Sequence, residues 1–211
     1  EGTEFNEDGT INWSRQWGND VYKFAKALGI EKFHYIGKCH GTVPGWYMVK
    51  NHPEMIQTLC SFYLAPHIIE QSSDQWHSLP QQELITKTIR KFETGLPKKQ
   101  AELQTLAQGP KDYGQTPPEW KYVIGSELPW NTKEECAAFL ESVETPVCFM
   151  FGSDDLLFQD WKENNLDVIF RTKRARTVIL QGERHLMELD CPNKIARECA
   201  FFIEESKYED D

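Results

Sequence analysis

The sequence lacks any long hydrophobic run: none of its apolar stretches approaches the roughly 18 consecutive apolar residues that a membrane-spanning helix requires. It also shows no N-terminal signal in which positive charge precedes an apolar segment. Mean hydropathy is low, at −0.60. From these absences we expect a chain without a membrane partner.

The six cysteines form no C-x-x-C pair and follow no metal-ligand spacing, which argues against a zinc site and against a compact disulfide framework. In a chain of 211 residues, thiols scattered in this way are typical of a reducing compartment. We therefore expect free thiols, no metal, no cofactor and a cytoplasmic location. The cysteines are Cys39, Cys60, Cys136, Cys148, Cys191 and Cys199.

Positive charge is also scarce, with 23 Lys and Arg against 33 Asp and Glu and a formal net charge of −10. The one clearly basic cluster, residues 171–176, is short and directly precedes an apolar stretch. An acidic chain repels phosphate backbones, so we expect no nucleic-acid partner. The last residues, 207–211, are predicted to form an acidic, solvated tail.

The apolar residues that are present follow two periods. Steps of three and four residues indicate amphipathic helices, whereas short apolar or β-branched runs bounded by turn residues indicate strands. Strand and helix alternate, which is typical of an α/β protein with a doubly wound, mostly parallel sheet. The predicted helices are 13–28, the segment around 46–49 and 193–206, and the predicted strands are 32–36, a stretch within 55–65, 146–151 and 177–180.

One long segment interrupts this alternation. Residues 68–142 are rich in Gln, Lys and Glu, contain helical pieces separated by Gly-Pro and Pro-Pro turns, and carry three scattered tryptophans. We interpret this segment as an inserted helical lid. The predicted organisation is a first core part at 1–67, the lid at 68–142, a second core part at 143–206 and the tail at 207–211.

The stretch Gly37-Lys-Cys-His-Gly41 has the pattern of a nucleophile elbow, in which a strand turns sharply into a helix. The turn needs small residues two before and two after the nucleophile, and here Cys39 stands where serine is usual. In such a turn the backbone N–H of His40 points to the place where an oxyanion forms. The His40 side chain either lines the pocket or supports the turn.

The residues around this elbow resemble the α/β-hydrolase fold superfamily, and within it the subgroup with a helical lid. The resemblance rests on Ala27–Gly41 with Asn51–Glu54, on an acid loop at Phe151–Asp155 and on a histidine loop at Gly182–His185. It implies that Cys39 is the nucleophile, Asp155 the acid and His185 the base. Asp154 is the rival candidate for the acid.

The resemblance implies an acyl-transfer hydrolase that cleaves a small-molecule ester, thioester, lactone or amide through an acyl-cysteine intermediate. An acyltransferase or cyclase would use the same triad, and the fold also hosts carbon-carbon hydrolases and lyases. A non-catalytic binding protein of the same fold is the alternative from another class. The residues that bind the substrate are not predicted.

The sequence departs from the family in two ways. The elbow arrives at residue 39, so the chain corresponds to about the C-terminal two thirds of the family's fold and lacks its N-terminal strands. We therefore expect a second chain that carries the N-terminal part, produced by cleavage of a precursor or by a split gene. The second departure is Cys39 itself, which is either natural or an engineered replacement of serine.

Overall fold

The computed structural model describes residues 13–62, 133–155 and 169–208, together with residue 7 and two short strands at 10–11 and 121–122. The strands are β1 (Thr10–Ile11), β2 (Phe33–Lys38), β3 (Ile56–Phe62), β4 (Lys121–Tyr122), β5 (Val147–Gly152) and β6 (Ala175–Leu180). The α-helices are α1 (Trp13–Ala27), α2 (Thr42–Asn51), α3 (Lys133–Ser142), α4 (Met187–Asp190) and α5 (Pro192–Glu205). Two 3₁₀ turns, Cys39–Gly41 and Pro53–Met55, flank α2.

Four strands form one parallel sheet in the order β2-β3-β5-β6. The register aligns the carboxyl ends of the strands, since Lys38 lies opposite Phe62, Phe62 opposite Met150, and Met150 opposite Val178. The loops after β2, β5 and β6 therefore all leave the sheet at the carboxyl ends of its strands. In open α/β sheets, ligands bind at these ends.

The two faces of the sheet carry separate apolar layers, as the alternation of side chains along a strand requires. On one face Phe149 and its neighbours pack against α2 and α3, and the indole of Trp46 stacks on the Phe149 ring at 5.8 Å. On the other face Cys148 and Met150 pack against α5. All six residues of β5 are buried, which explains why its sequence is a continuous apolar run rather than an alternating one.

Helix α1 packs against α2 through a close approach of its backbone. A Cβ atom at Gly18 would lie 2.1 Å from the ring of Tyr47, so only glycine fits there. The Tyr47 hydroxyl donates a hydrogen bond to Asn19, and the Tyr22 ring stacks on His52 at the end of α2. The N-terminal helix is thus fixed to the helix that follows the elbow.

The parallel, doubly wound sheet predicted from the sequence is confirmed, with small changes of boundary. The first strand runs on to Lys38, and α2 begins at Thr42, directly after the elbow and earlier than predicted. Most of the predicted lid, 68–142, lies outside the described residues; its last ten residues are α3, which contributes Cys136 and Leu140 to the core. In the part of the chain that the structure describes, no helix is long and apolar enough to cross a membrane.

Candidate active site

Cys39 occupies a sharp turn at the carboxyl end of β2. Its backbone φ is +48°, which makes it the one residue other than glycine, among those described, with a positive φ. L-residues adopt this conformation only at a cost of about 1–3 kcal/mol, and such strain is concentrated at functional sites. The 3₁₀ turn Cys39–Gly41 runs directly into α2, so the His40 backbone N–H lies at the amino-terminal, electropositive end of that helix.

The two glycines of the elbow have different roles. A Cβ atom at Gly37 would lie 2.5 Å from the carbonyl oxygen of Gly41 and 2.7 Å from Cα of Thr42, so the turn closes only because residue 37 is glycine. Apart from its chain neighbours, none of the described residues lies within 4 Å of the place that a Cβ atom at Gly41 would take, and the backbone of Gly41 is right-handed helical. The prediction that both positions require small residues is therefore supported at Gly37, whereas at Gly41 no described contact requires it.

Two side chains from outside the five-residue pattern support the turn. The Tyr35 hydroxyl donates to the carbonyl of Gly41 at 2.8 Å, and the Thr42 hydroxyl donates to the carbonyl of Cys39 at 2.8 Å. Both bonds satisfy carbonyl groups that a regular strand or helix would otherwise pair. They hold the turn that positions Cys39.

The loops after β5 and β6 are joined along their backbones. The N–H of Asp154 donates to the carbonyl of Glu183 at 2.9 Å, and the N–H of Gly182 donates to the Ser153 hydroxyl at 2.7 Å. At Gly152 a Cβ atom would lie 2.3 Å from the Glu183 carbonyl oxygen, so glycine permits this close approach. The loop that carries the acid and the loop that carries the histidine are thus held together.

At this junction Nδ1 of His185 lies 2.9 Å from Oδ2 of Asp155. Asp155 is fully buried and His185 is 6% exposed. The Cys39 thiol, which is partly exposed, lies near enough to His185 to help raise the pKa of its imidazole. Asp154 instead points to solvent, where it accepts a hydrogen bond from Ser153. The structure thus brings Cys39, His185 and Asp155 together and leaves Asp154 apart.

The surroundings of His185 favour its protonated form. Burial by itself lowers the pKa, but the hydrogen bonds with Asp155 and Cys39 and the charge of Asp155 outweigh it and raise the pKa to about 9. An imidazole bonded through Nδ1 to a buried carboxylate keeps its Nε2 side for a second partner. His185 can therefore exchange a proton with a thiol through Nε2 while Nδ1 stays bonded to Asp155.

An ion pair that the sequence did not predict connects the two halves of the site. The Lys38 ammonium, next to Cys39 in the chain, contacts the Glu188 carboxylate on α4, just after the histidine loop. Both side chains are about one third exposed. Opposite charge was the only signal available in the sequence, and it could not single out two residues so far apart. Among the described residues, no group of three potential ligands lies close enough to hold a metal ion.

No protein-family model and no curated protein matches this chain. Solved structures do match. The chain is similar to the proline iminopeptidase of Mycobacterium smegmatis, at 17% identity and a TM-score of 0.65, covering 94% of this chain and 73% of that one. It is also similar to an α/β-hydrolase fold protein of Chitinophaga pinensis, at 18% identity and a TM-score of 0.58, covering 100% and 74%.

The fold is that of the α/β-hydrolases. A third structure, from a study of carboxylesterases of Nitrososphaera gargenis, gives a TM-score of 0.64 at 14% identity and covers 99% of this chain and 79% of that one. In α/β-hydrolases the catalytic nucleophile, acid and histidine follow one another in that chain order. In this chain the loops after β2, β5 and β6 carry a cysteine, an aspartate and a histidine. Cys39, Asp155 and His185 occur in that order on those loops.

Proposed function

We propose that this protein is an acyl-transfer hydrolase in which Cys39 is the nucleophile, His185 the general acid and base, and Asp155 the residue that orients His185. The observation that carries the proposal is the placement of one buried imidazole between a buried carboxylate and a thiol on a strained turn. Solved structures with this fold include a proline iminopeptidase and a structure from a study of carboxylesterases, and these names support a hydrolase.

The chemistry follows from these positions. The Cys39 thiol transfers its proton to His185, and Sγ forms a bond to the substrate's carbonyl carbon. The resulting oxyanion accepts a hydrogen bond from the His40 N–H. The tetrahedral intermediate then collapses, and the leaving group departs with the proton from the imidazolium. An acyl-cysteine remains on the protein.

In the second half of the reaction, water gives a proton to His185 and attacks the acyl-cysteine. The thiolate leaves and regains its proton, which restores the starting state. Asp155 stabilises the imidazolium in both halves without itself taking a proton. An alcohol or amine in place of water would make the same site an acyltransferase or cyclase, so the acceptor decides between these activities.

The first test is selective alkylation with iodoacetamide, followed by mass spectrometry of the modified peptides. We expect Cys39 to react faster than free cysteine and faster than Cys191, the other partly exposed thiol. Burial raises the pKa of Cys136 to about 12, and hydrogen bonds with Cys148 and Cys199 raise that of Cys60, so these thiols should stay unmodified.

The second test detects the intermediate. The protein is mixed with p-nitrophenyl acetate, quenched in acid and analysed for an acetyl group on Cys39 that hydroxylamine removes. Cys39→Ala should abolish both the adduct and the release of nitrophenol, whereas Cys191→Ala should retain them. A Cys39 thiol that reacts no faster than free cysteine and forms no adduct would overturn the proposal in favour of a non-catalytic binding protein.

A further inference from the structure

Exposed apolar side chains are concentrated in the segment that leads into β2. Of the nine large hydrophobic side chains that are exposed in the described parts of the chain, five belong to residues 17–36. Single exposed apolar residues are ordinary, but a concentration within one short segment is typical of a surface that becomes buried in a complex. The five are Trp17, Phe24, Leu28, Ile30 and Ile36.

Two of these residues, Phe24 and Leu28, form a stripe at the end of α1. They are four residues apart, which places them on one side of a helix. Phe24 is 66% and Leu28 60% exposed. The contacts of α1 with α2 and the core involve a different side of the helix, where Gly18 and Ala25 lie. Phe24 and Leu28 therefore lie outside the packing of α1 that the described residues show.

The outer edge of β2 has no features that protect it. Within the described residues β2 pairs with β3 on one side and with no strand on the other. Its sequence, Phe-His-Tyr-Ile-Gly-Lys, contains no proline, and its only lysine contacts Glu188. The opposite edge strand, β6, instead carries Arg176 in ion pairs with Glu198 and Glu205. Edge strands that stay exposed are usually protected by charge or proline, so β2 resembles an internal strand.

The helix layer over the sheet also stops short of β2. Ile36 lies opposite Cys60 in the register, and Cys60 is fully buried in the layer under α5. Ile36 itself is 52% exposed. A β-branched residue at this position would normally be covered in a parallel sheet, whose two faces are both packed. Among the described residues, β2 therefore has neither a second neighbouring strand nor a complete helix layer over Ile36.

We propose that this docking surface, the outer edge of β2 with Ile36 and the α1 stripe, binds a polypeptide other than this 211-residue sequence, which adds a strand parallel to β2 and buries the stripe. A parallel direction follows because every pairing in the four-stranded sheet is parallel. About a quarter of the proline iminopeptidase structure has no counterpart in this chain, which is enough for such a piece. This proposal depends on packing alone, so a test of it does not depend on whether Cys39 is catalytic.

A second copy of this chain fits the surface less well. Each copy has a formal net charge of −10, so two copies repel one another. Two identical edge strands related by a twofold axis also run antiparallel, which would break the parallel order of the sheet. The partner is therefore a different sequence with parallel strands and apolar side chains facing the stripe.

The test is photo-crosslinking in the cells that make the native protein, with a photoreactive phenylalanine analogue placed at Lys32 or Ile36 one at a time. We expect both positions to crosslink to one peptide that is absent from the 211-residue sequence. The attachment site from Ile36 should lie later in that peptide than the site from Lys32, as parallel strands require. The matched control is Ile179 on β6, an exposed isoleucine on the other edge strand, which should not reach that peptide.

The second measurement is the mass of the native complex. Ile36→Lys should weaken the association by about tenfold or more, as the loss of a central apolar contact does, whereas Ile179→Lys should leave it unchanged. Both substitutions are at exposed positions, so circular dichroism should show folded chains. Crosslinks that fall within this chain's own sequence, an antiparallel order of sites, or a native 24.6 kDa monomer with no crosslinked peptide would each overturn the proposal.

Discussion

Asp154 and Asp155 are adjacent in the chain, yet only Asp155 contacts His185, at 2.9 Å and in full burial. Asp155→Asn should lower the rate of Cys39 acylation by about 10³- to 10⁴-fold, since the imidazole loses the group that fixes its tautomer. Asp154→Asn is the matched control and should leave the rate within about twofold, as expected of an exposed side chain away from the reacting atoms. Burst kinetics with p-nitrophenyl acetate measure both. Equal effects of the two substitutions would refute the assignment of Asp155.

The raised pKa of His185 makes stability depend on pH. Because the pKa is about 9 in the folded protein and 6.5 for the free side chain, protonation favours the folded state. This contribution is fully present below pH 6.5 and is lost as the pH rises through about 9. Urea denaturation across that range should show a decline in the free energy of unfolding that His185→Gln removes. The same decline in both proteins would rule out His185 as its cause.

The two elbow glycines should respond differently to alanine. Gly37→Ala should destabilise the protein by about 1–3 kcal/mol, because the new methyl group meets the backbone at Gly41 and Thr42. Gly41→Ala places its methyl group more than 4 Å from the described residues other than its chain neighbours, on a helical backbone, and should be neutral or stabilise the protein by up to about 1 kcal/mol. Thermal unfolding of both variants is the measurement. The tight closure of the turn at Gly37 would be contradicted if Gly37→Ala unfolded at the temperature of the wild type.

The ion pair between Lys38 and Glu188 is expected to position the elbow against the histidine loop. Lys38→Met and Glu188→Gln should each slow alkylation of Cys39 by no more than about fivefold, since partly exposed pairs contribute about 0.2–1 kcal/mol. The double variant should be no slower than the slower single variant. As a control, Lys207→Met breaks an exposed pair with Glu204 and should not change the rate. Independent, additive effects would show that the two groups do not act together.

The sequence was sufficient for the order of the elements that carry the site. The apolar run at 146–151 predicts a strand buried on both faces, and the observed strand, β5, is buried throughout. The elbow around Cys39 is recognisable because its requirements are local: a strand, a turn that glycine permits, and a helix. The loops with Asp155 and His185 follow strands that the same periodicity predicts. The lid predicted at 68–142 stays a prediction, since all of it except α3 and the two residues of β4 lies outside the described residues.

Relationships between residues that are far apart in the sequence were decided only by the tertiary structure. The choice of Asp155 over Asp154 depends on which carboxylate is buried against His185, and the ion pair of Lys38 with Glu188 depends on the distance between two loops. The exposed edge of β2 likewise appears only when the strands are placed side by side. Sequence periodicity records which face of an element is apolar, because that is set by local backbone geometry. Burial and contacts across the sheet depend on how whole helices and strands pack. That packing determines which residues complete the site.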